Sequence, residues 1–245
     1  MVLIRLMTLN VIYILRSIYR KAQLKPLGLF FILCASSVFA DVYGISESLL
    51  DYINRNYGDQ AKTRLVDWRD IIQKQKYKSL SEQEKLSLVN DFFNQVRFVD
   101  DIDHWNKEDY WATPIEMLST NGGDCEDFSI AKYFTLKALN VPVDRMRLTY
   151  VKSIVLKQAH MVLAYYPTPN AEPLILDNLM DEIRPASNRK DLVPVYSFNG
   201  DGLWLSRERG EGKRVGESSR LGLWNELAKR MKKEQDSKRL PEGKK

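Results

Sequence analysis

The chain has 245 residues, 37 of them basic and 32 acidic, with two cysteines and two histidines. So few thiols and imidazoles exclude a disulfide-stapled scaffold and leave a Cys/His zinc site short of ligands. The basic excess sits at the ends: residues 1–40 hold five basic and no acidic side chains, so residues 41–245 balance at 32 of each, and charge gives no reason to expect nucleic acid.

The N-terminus has a targeting pattern. Arg16, Arg20, Lys21 and Lys25 precede an apolar run from Leu27 to Val38, and Val38-Phe39-Ala40 supplies a small-residue cleavage site before Asp41. The run is too short to span a bilayer comfortably. Cys34 follows Leu33 where a lipoprotein signal needs a small residue, so lipid attachment is not expected. Residues 1–40 are read as a signal peptide or, with the second apolar patch Leu6 to Leu15, as a retained membrane-targeting anchor. Cleavage leaves Cys125 as the single thiol of an exported, periplasmic protein.

Residues 41–206 are of a length for one domain, followed by a basic C-terminal helix and tail over 207–245. Up to about Val99 the apolar spacing is helical: Leu49, Leu50, Tyr52 and Ile53 after Ile45-Ser46, then Leu65, Trp68, Ile71 and Ile72. Ser79-Leu80-Ser81-Glu82 opens a further helix with Leu86, Leu88, Val89, Phe92, Phe93 and Val96 on its stripe. Asp100 to Pro114 mixes acids and aromatics as a linker, and a short helix is expected around Glu116-Met117-Leu118. Gly122-Gly123 reads as a tight turn into a helix of about Glu126 to Leu139, which stops at Asn140-Val141-Pro142.

Beyond it, Arg147 to Val151, His160 to Tyr166, Leu174 to Asp177 and Val193 to Phe198 read as antiparallel strands, with Asn199-Gly200-Asp201-Gly202 turning into Leu203-Trp204-Leu205. The tail carries 13 basic and 7 acidic residues. Leu221, Leu223, Trp224, Leu227 and Met231 suggest an amphipathic helix, and Lys232 to Lys245 a solvated, disordered end. That basic end is either a solvated face or a contact for anionic lipid headgroups or a membrane-bound partner.

Cys125 is the most informative residue. It lies between the glycine pair and the first turn of a helix, one of the few places where backbone dipoles lower a thiol pKa toward neutral. A free cysteine is often merely a small buried hydrophobe. Here Asp124, Glu126 and Asp127 flank it, and desolvating three acids around an inert thiol brings no benefit. His160 in an apolar strand and Asp177 at the end of the next complete, in chain order, the parts of a thiol protease or acyltransferase triad. His104 is the alternative base, in a position that suggests a solvated residue. Trp105 and Trp111 either line a cleft or pack in the core.

Helices first, a cysteine at the start of a central helix, then His and Asp on consecutive antiparallel strands: the order resembles the α+β papain/transglutaminase-like fold. More narrowly, Asp109-Tyr110-Trp111-Ala112-Thr113-Pro114-x-Glu116, Gly123-Asp124-Cys125-Glu126-Asp127, Ala159-His160-Met161-Val162 and Leu176-Asp177-Asn178 resemble the bacterial transglutaminase-like cysteine proteinases, of which the LapG-type periplasmic proteases are described members. The resemblance spans about residues 95–200. It implies Cys125 as nucleophile, His160 as general base and Asp177 as the orienting acid. It also implies calcium beside the nucleophile on Asp124 and Glu126, release of a large surface adhesin by cleavage near its N-terminus, and control by an inner-membrane cyclic-di-GMP receptor.

The residues themselves also offer oxygens for a hard cation: Asp124, Glu126 and Asp127 on one helical turn, with Asp100, Asp101 and Asp103 within reach after folding. Acids in a first turn also simply complement the helix dipole. A transglutaminase would use the same triad to pass the acyl group to an amine, and an inactive binding module would retain it without turnover.

Overall fold

The computed structural model describes residues 45–207 and 210–237, and the segment read above as a signal peptide or anchor lies outside them. No described helix is long and apolar enough to cross a membrane.

Four of the helices begin where the sequence supplies a side-chain cap. In α1 (Glu47–Tyr57) the Ser46 hydroxyl accepts from Leu49 N–H at 3.2 Å, and Leu49, Leu50 and Ile53 turn inward. Gly58, at φ 86°, then turns the chain into α2 (Asp59–Gln73), which buries Leu65, Trp68, Ile71 and Ile72. The single turn α3 (Gln75–Lys78) leads to α4 (Glu82–Phe93), opened by a reciprocal capping box between Ser81 and Glu84. The expected acidic linker is partly helical, as α5 (Asp101–Trp105), and α6 (Pro114–Thr120) starts on a Thr113/Glu116 capping box with Pro114 in its first turn. The central helix α7 (Cys125–Ala138) is capped by Asp124 and ends before Asn140, whose φ of 64° stops it where expected.

Gly122-Gly123 is a second departure. The pair is not a tight turn but β2, a parallel two-residue ladder with β1 (Arg97–Phe98) that registers Arg97 with Gly122 and Phe98 with Gly123. Glycine is required by close approach: a Cβ on Gly122 would sit 2.8 Å from the His104 ring, and one on Gly123 2.6 Å from Asp127 Oδ2. Because Asp127 is fully buried and hydrogen-bonded, it cannot yield. Gly123→Ala is therefore expected to destabilise the protein by about 1–3 kcal/mol in a chemical melt, while Gly222→Ala, which meets nothing within 4 Å, is neutral or stabilising.

The sheet follows: β3 (Met146–Ser153), β4 (Gln158–Tyr165), β5 (Leu174–Leu176), β6 (Arg184–Pro185), β7 (Leu192–Phe198), β8 (Leu203–Arg207) and β9 (Gly210–Gly216). Their spatial order is β6-β5-β4-β3-β7-β8-β9, with every pairing antiparallel. The fold is thus helices packed against an antiparallel sheet, as the sequence order implied. β6 and β9 lacked an apolar run to announce them.

Met146, Leu148, Met161, Leu163, Leu176 and Phe198 bury one face of the sheet against the helices, while Val151, Val162, Ala164 and Ile175 form a smaller cluster on the other. α7 is buried on most sides, and Trp68 Nε1 donates to its Thr135 Oγ1 at 2.8 Å. The last helix, α8 (Gly222–Ser237), packs Trp224, Leu227 and Met231 into the main core. It continues six residues past the point where the sequence reading ended it: Glu234 is buried and accepts from Thr113 Oγ1 at 2.7 Å, so residues 232–237 are ordered helix rather than a disordered end.

Candidate active site

The sheet has a gap where the site forms. β5 pairs with β4 only from Leu163 to Tyr165, so the outward backbone groups of Met161 have no strand partner on that side. The start of α7 fills the place. Ser129 Oγ donates to Met161 O at 3.0 Å, and the Met161 N–H faces the Cys125 sulfur. The nucleophile's helix is thereby docked on the strand residue immediately after His160.

His160 pairs across the ladder with Val151 and is 2 % exposed. Its Nε2 lies 2.8 Å from Asp177 Oδ1, just past the end of β5, and Asp177 also accepts from Leu179 N–H at 3.1 Å. An imidazole whose Nε2–H is committed to a carboxylate presents Nδ1 as its basic nitrogen. Burial alone would raise the Asp177 carboxyl, but the His160 hydrogen bond and charge, the Leu179 N–H and Arg189 outweigh it and hold it at about 2. The loop that follows is fastened to α4: Asn94 Nδ2 donates to Asp177 O at 3.0 Å and to Asp181 Oδ1 at 2.9 Å, and Asn90 Nδ2 to Asp181 O at 2.7 Å.

Cys125 is the first residue of α7, and its thiol donates to Glu126 Oε2 at 2.7 Å. Burial, then the Glu126 charge and hydrogen bond and the Asp124 charge, push the thiol up. The Met161 N–H pulls the other way. The acids around it therefore keep the sulfur protonated unless something offsets them.

Asp124, Asp127 and Asp101 bring carboxylate oxygens within 4.8 Å of one another. Asp127 Oδ1 accepts from Ala112 N–H at 2.6 Å, its Oδ2 from Asp124 N–H at 3.4 Å, and Asp101 from Tyr110 N–H. Asp101 Oδ1 is buried with no hydrogen-bond partner. Burial and the neighbouring carboxylates raise all three acids, Asp101 to about 6. Clustered, desolvated carboxylates with one oxygen unpaired suit a hard divalent cation. Of the acids flanking the cysteine, Asp124 and Asp127 join this cluster, whereas Glu126 engages the thiol and affects the cluster through its charge. Asp101 comes from the supposed linker. Its neighbours Asp100 and Asp103 are exposed.

His104 is half-buried, not solvated: its Nε2 lies 2.9 Å from Thr120 Oγ1, and its ring covers Gly122. Trp111 stacks on Phe198 with centroids 5.5 Å apart and belongs to the core, while Trp105 packs against His104 and Tyr110.

Residues 58–204 match the family model of the bacterial transglutaminase-like cysteine proteinases. The chain belongs to that family. As a member it is a cysteine protease, on a fold shared with solved relatives. Legionella pneumophila LapG in an EGTA-treated form is 45 % identical with a TM-score of 0.66, over 76 % of this chain and 96 % of that one. A second structure of the same protein gives 45 % and 0.65 over 76 % and 95 %, and a calcium-bound form 46 % and 0.64 over 74 % and 97 %. No curated protein matches the chain.

Arg189 is the site residue that sequence reasoning missed. It is 4 % exposed and donates from one terminal nitrogen to Asp177 Oδ2 at 2.7 Å. In sequence it lies in Asn188-Arg189-Lys190-Asp191, which looks like a solvated charged loop.

Proposed function

We propose that this proteinase is a calcium-dependent, exported endopeptidase that cuts the N-terminal region of a large surface adhesin, releasing it and promoting biofilm dispersal. Cys125 attacks the scissile carbonyl after giving its proton to His160 Nδ1, and His160 returns that proton to the leaving amine. The acyl-enzyme bond is then hydrolysed by a water that His160 activates. Asp177 holds the ring in the required tautomer and stabilises the imidazolium. The observation that carries the reading is the His160–Asp177 pair at 2.8 Å beside a helix-initiating cysteine.

Calcium is supported by the acid cluster and by a related protein solved in a calcium-bound form. Asp101, Asp124 and Asp127 would hold it, with Glu126 alongside. When bound, it would offset the negative charge that otherwise opposes thiolate formation at Cys125.

The N-terminal targeting pattern supports a periplasmic location, and the family resemblance supports sequestration by the periplasmic domain of an inner-membrane cyclic-di-GMP receptor. Protein-glutamine acyl transfer is the competing chemistry, since it needs the same triad. Incubating the protein with an adhesin N-terminal fragment and a primary amine separates the two: two fragments with new termini are expected. Amine incorporation without cleavage would overturn the endopeptidase reading. Fractionation tests place, with the processed form beginning near Asp41 expected in the periplasmic extract.

A further inference from the structure

We infer that Arg189 is a positioning residue for catalysis, holding Asp177 ionised and aimed so that His160 keeps its basic nitrogen toward the thiol. The inference rests on the triad reading above. Its observations are geometric. Asp177 has three partners on its two oxygens: Oδ1 meets His160 Nε2 at 2.8 Å and Leu179 N–H at 3.1 Å, while Oδ2 accepts from Arg189 at 2.7 Å. With the second oxygen fixed, the carboxylate cannot swing about its terminal bond and release the imidazole.

Arg189 is itself braced. Its Nε and the same terminal nitrogen donate to Asp191 at 3.0 and 2.8 Å, so the guanidinium plane is set by a carboxylate that is 31 % exposed, while its own side chain is 3 % exposed. Backbone geometry also fixes its position, because Arg189 N–H donates to Ala186 O and Leu192 N–H to Arg189 O, closing the turn before β7. The chain from Asp191 through Arg189 and Asp177 to His160 thus runs from partly exposed surface into the site, with the guanidinium between two carboxylates.

The other charged groups near Asp177 do not substitute for it. Lys132 of α7 feels the Asp177 charge, but its ammonium donates to Asn90 Oδ1 at 2.9 Å. Asp181 is of the same sign as Asp177 and is engaged by Asn94. Arg189 is therefore the cation in hydrogen-bond contact with the carboxylate that orients the base. A guanidinium suits the role because it stays charged when buried and its fork spans two carboxylates in one plane.

The test is kinetic and spectroscopic. In Arg189→Met, kcat is expected to fall roughly 10- to 100-fold, a fraction of the ~10²- to 10⁴-fold that a positioned base supplies, with KM within about twofold. Arg189→Lys should recover only part of the loss, since it restores the charge but not the fork that spans both carboxylates, and Asp191→Asn should lose less than Arg189→Met. The chain has only two histidines, so nitrogen-edited NMR of the imidazoles reads the arrangement without turnover. Wild type should show His160 as a single Nε2–H tautomer with a protected, hydrogen-bonded proton, which Arg189→Met converts to an averaged, exchanging signal while His104 is unchanged. A folded Arg189→Met with near-wild-type kcat, or with the His160 signal intact, would overturn the inference. Should Arg189→Met fail to fold, Asp191→Asn decides the matter: an unchanged His160 signal and kcat would overturn it equally. If the triad assignment itself is wrong, Cys125→Ala retains activity whatever Arg189 does, which separates the two failures.

Discussion

Cys125→Ala is expected to lose proteolysis by more than about 10⁴-fold and to melt within a degree or two of the wild-type protein, since no residual nucleophile is available and the contacts broken are only those of the sulfur with Glu126 and the Met161 N–H. His160→Ala should lose ~10²- to 10⁴-fold, the amount a positioned base usually supplies. It will also be less stable, because buried Asp177 loses its His160 hydrogen bond and keeps only Leu179 N–H on that oxygen. The two effects should not add in the double variant, as base and nucleophile act as a unit. Asp177→Asn should fall between wild type and His160→Ala, since tautomer control and imidazolium stabilisation are lost while the base remains. Initial rates on an adhesin N-terminal fragment, with circular dichroism melts on the same preparations, check all four. Turnover above roughly a hundredth of wild type in both single alanine variants would remove the triad from the mechanism.

Much of this site could be read from the chain because its parts are local. Cys125, Asp124 and Asp127 fall within one capping box, where the requirement for an oxygen at the N-cap and at the third helical residue restricts the sequence directly. His160 stood out as a polar residue in an otherwise apolar strand, and Asp177 as the acid that ends another. What was illegible depends on contacts distant in sequence. Asp101 reaches the cluster because the β1–β2 ladder places the start of α5 beside Gly123, and a two-residue parallel pairing leaves no periodic signal. Arg189 differs from any surface arginine only by burial. The end of α8 was misread for a related reason: Glu234 looks like a solvated charge but is buried against Thr113, and Arg230 reaches Trp111 O and lies over the Tyr110 ring. The last helix therefore clamps the very segment whose Tyr110 and Ala112 N–H groups hold Asp101 and Asp127.

Chelation is expected to cut activity below about a hundredth of its calcium-loaded value, and excess calcium to restore it. The motive is the concentration of negative charge next to the sulfur. Asp101, Asp124 and Asp127 lie with oxygens within 4.8 Å, and Glu126 Oε2 accepts from the thiol with sulfur and oxygen 2.7 Å apart, so without a cation both charge and hydrogen bonding favour the neutral thiol. Two pKa units on a nucleophilic thiol correspond to ~100-fold in thiolate, enough for the expected loss. A cation also competes with the thiol for Glu126. The effect should be visible apart from turnover, because a ligand that binds only the folded state stabilises it by about 2.7 kcal/mol at a hundred times its dissociation constant. Wild type should therefore melt several degrees higher in calcium than in chelator. Asp101→Asn and Asp124→Ala should abolish most of that shift, and Glu126→Ala should reduce it. Because the three cluster acids repel one another, Asp101→Asn is also expected to be no less stable than wild type in chelator, a sign opposite to its effect in calcium. Titration calorimetry without heat on calcium addition, or full activity in chelator, would sink the calcium requirement and leave the cluster as a strained but metal-free cap for α7.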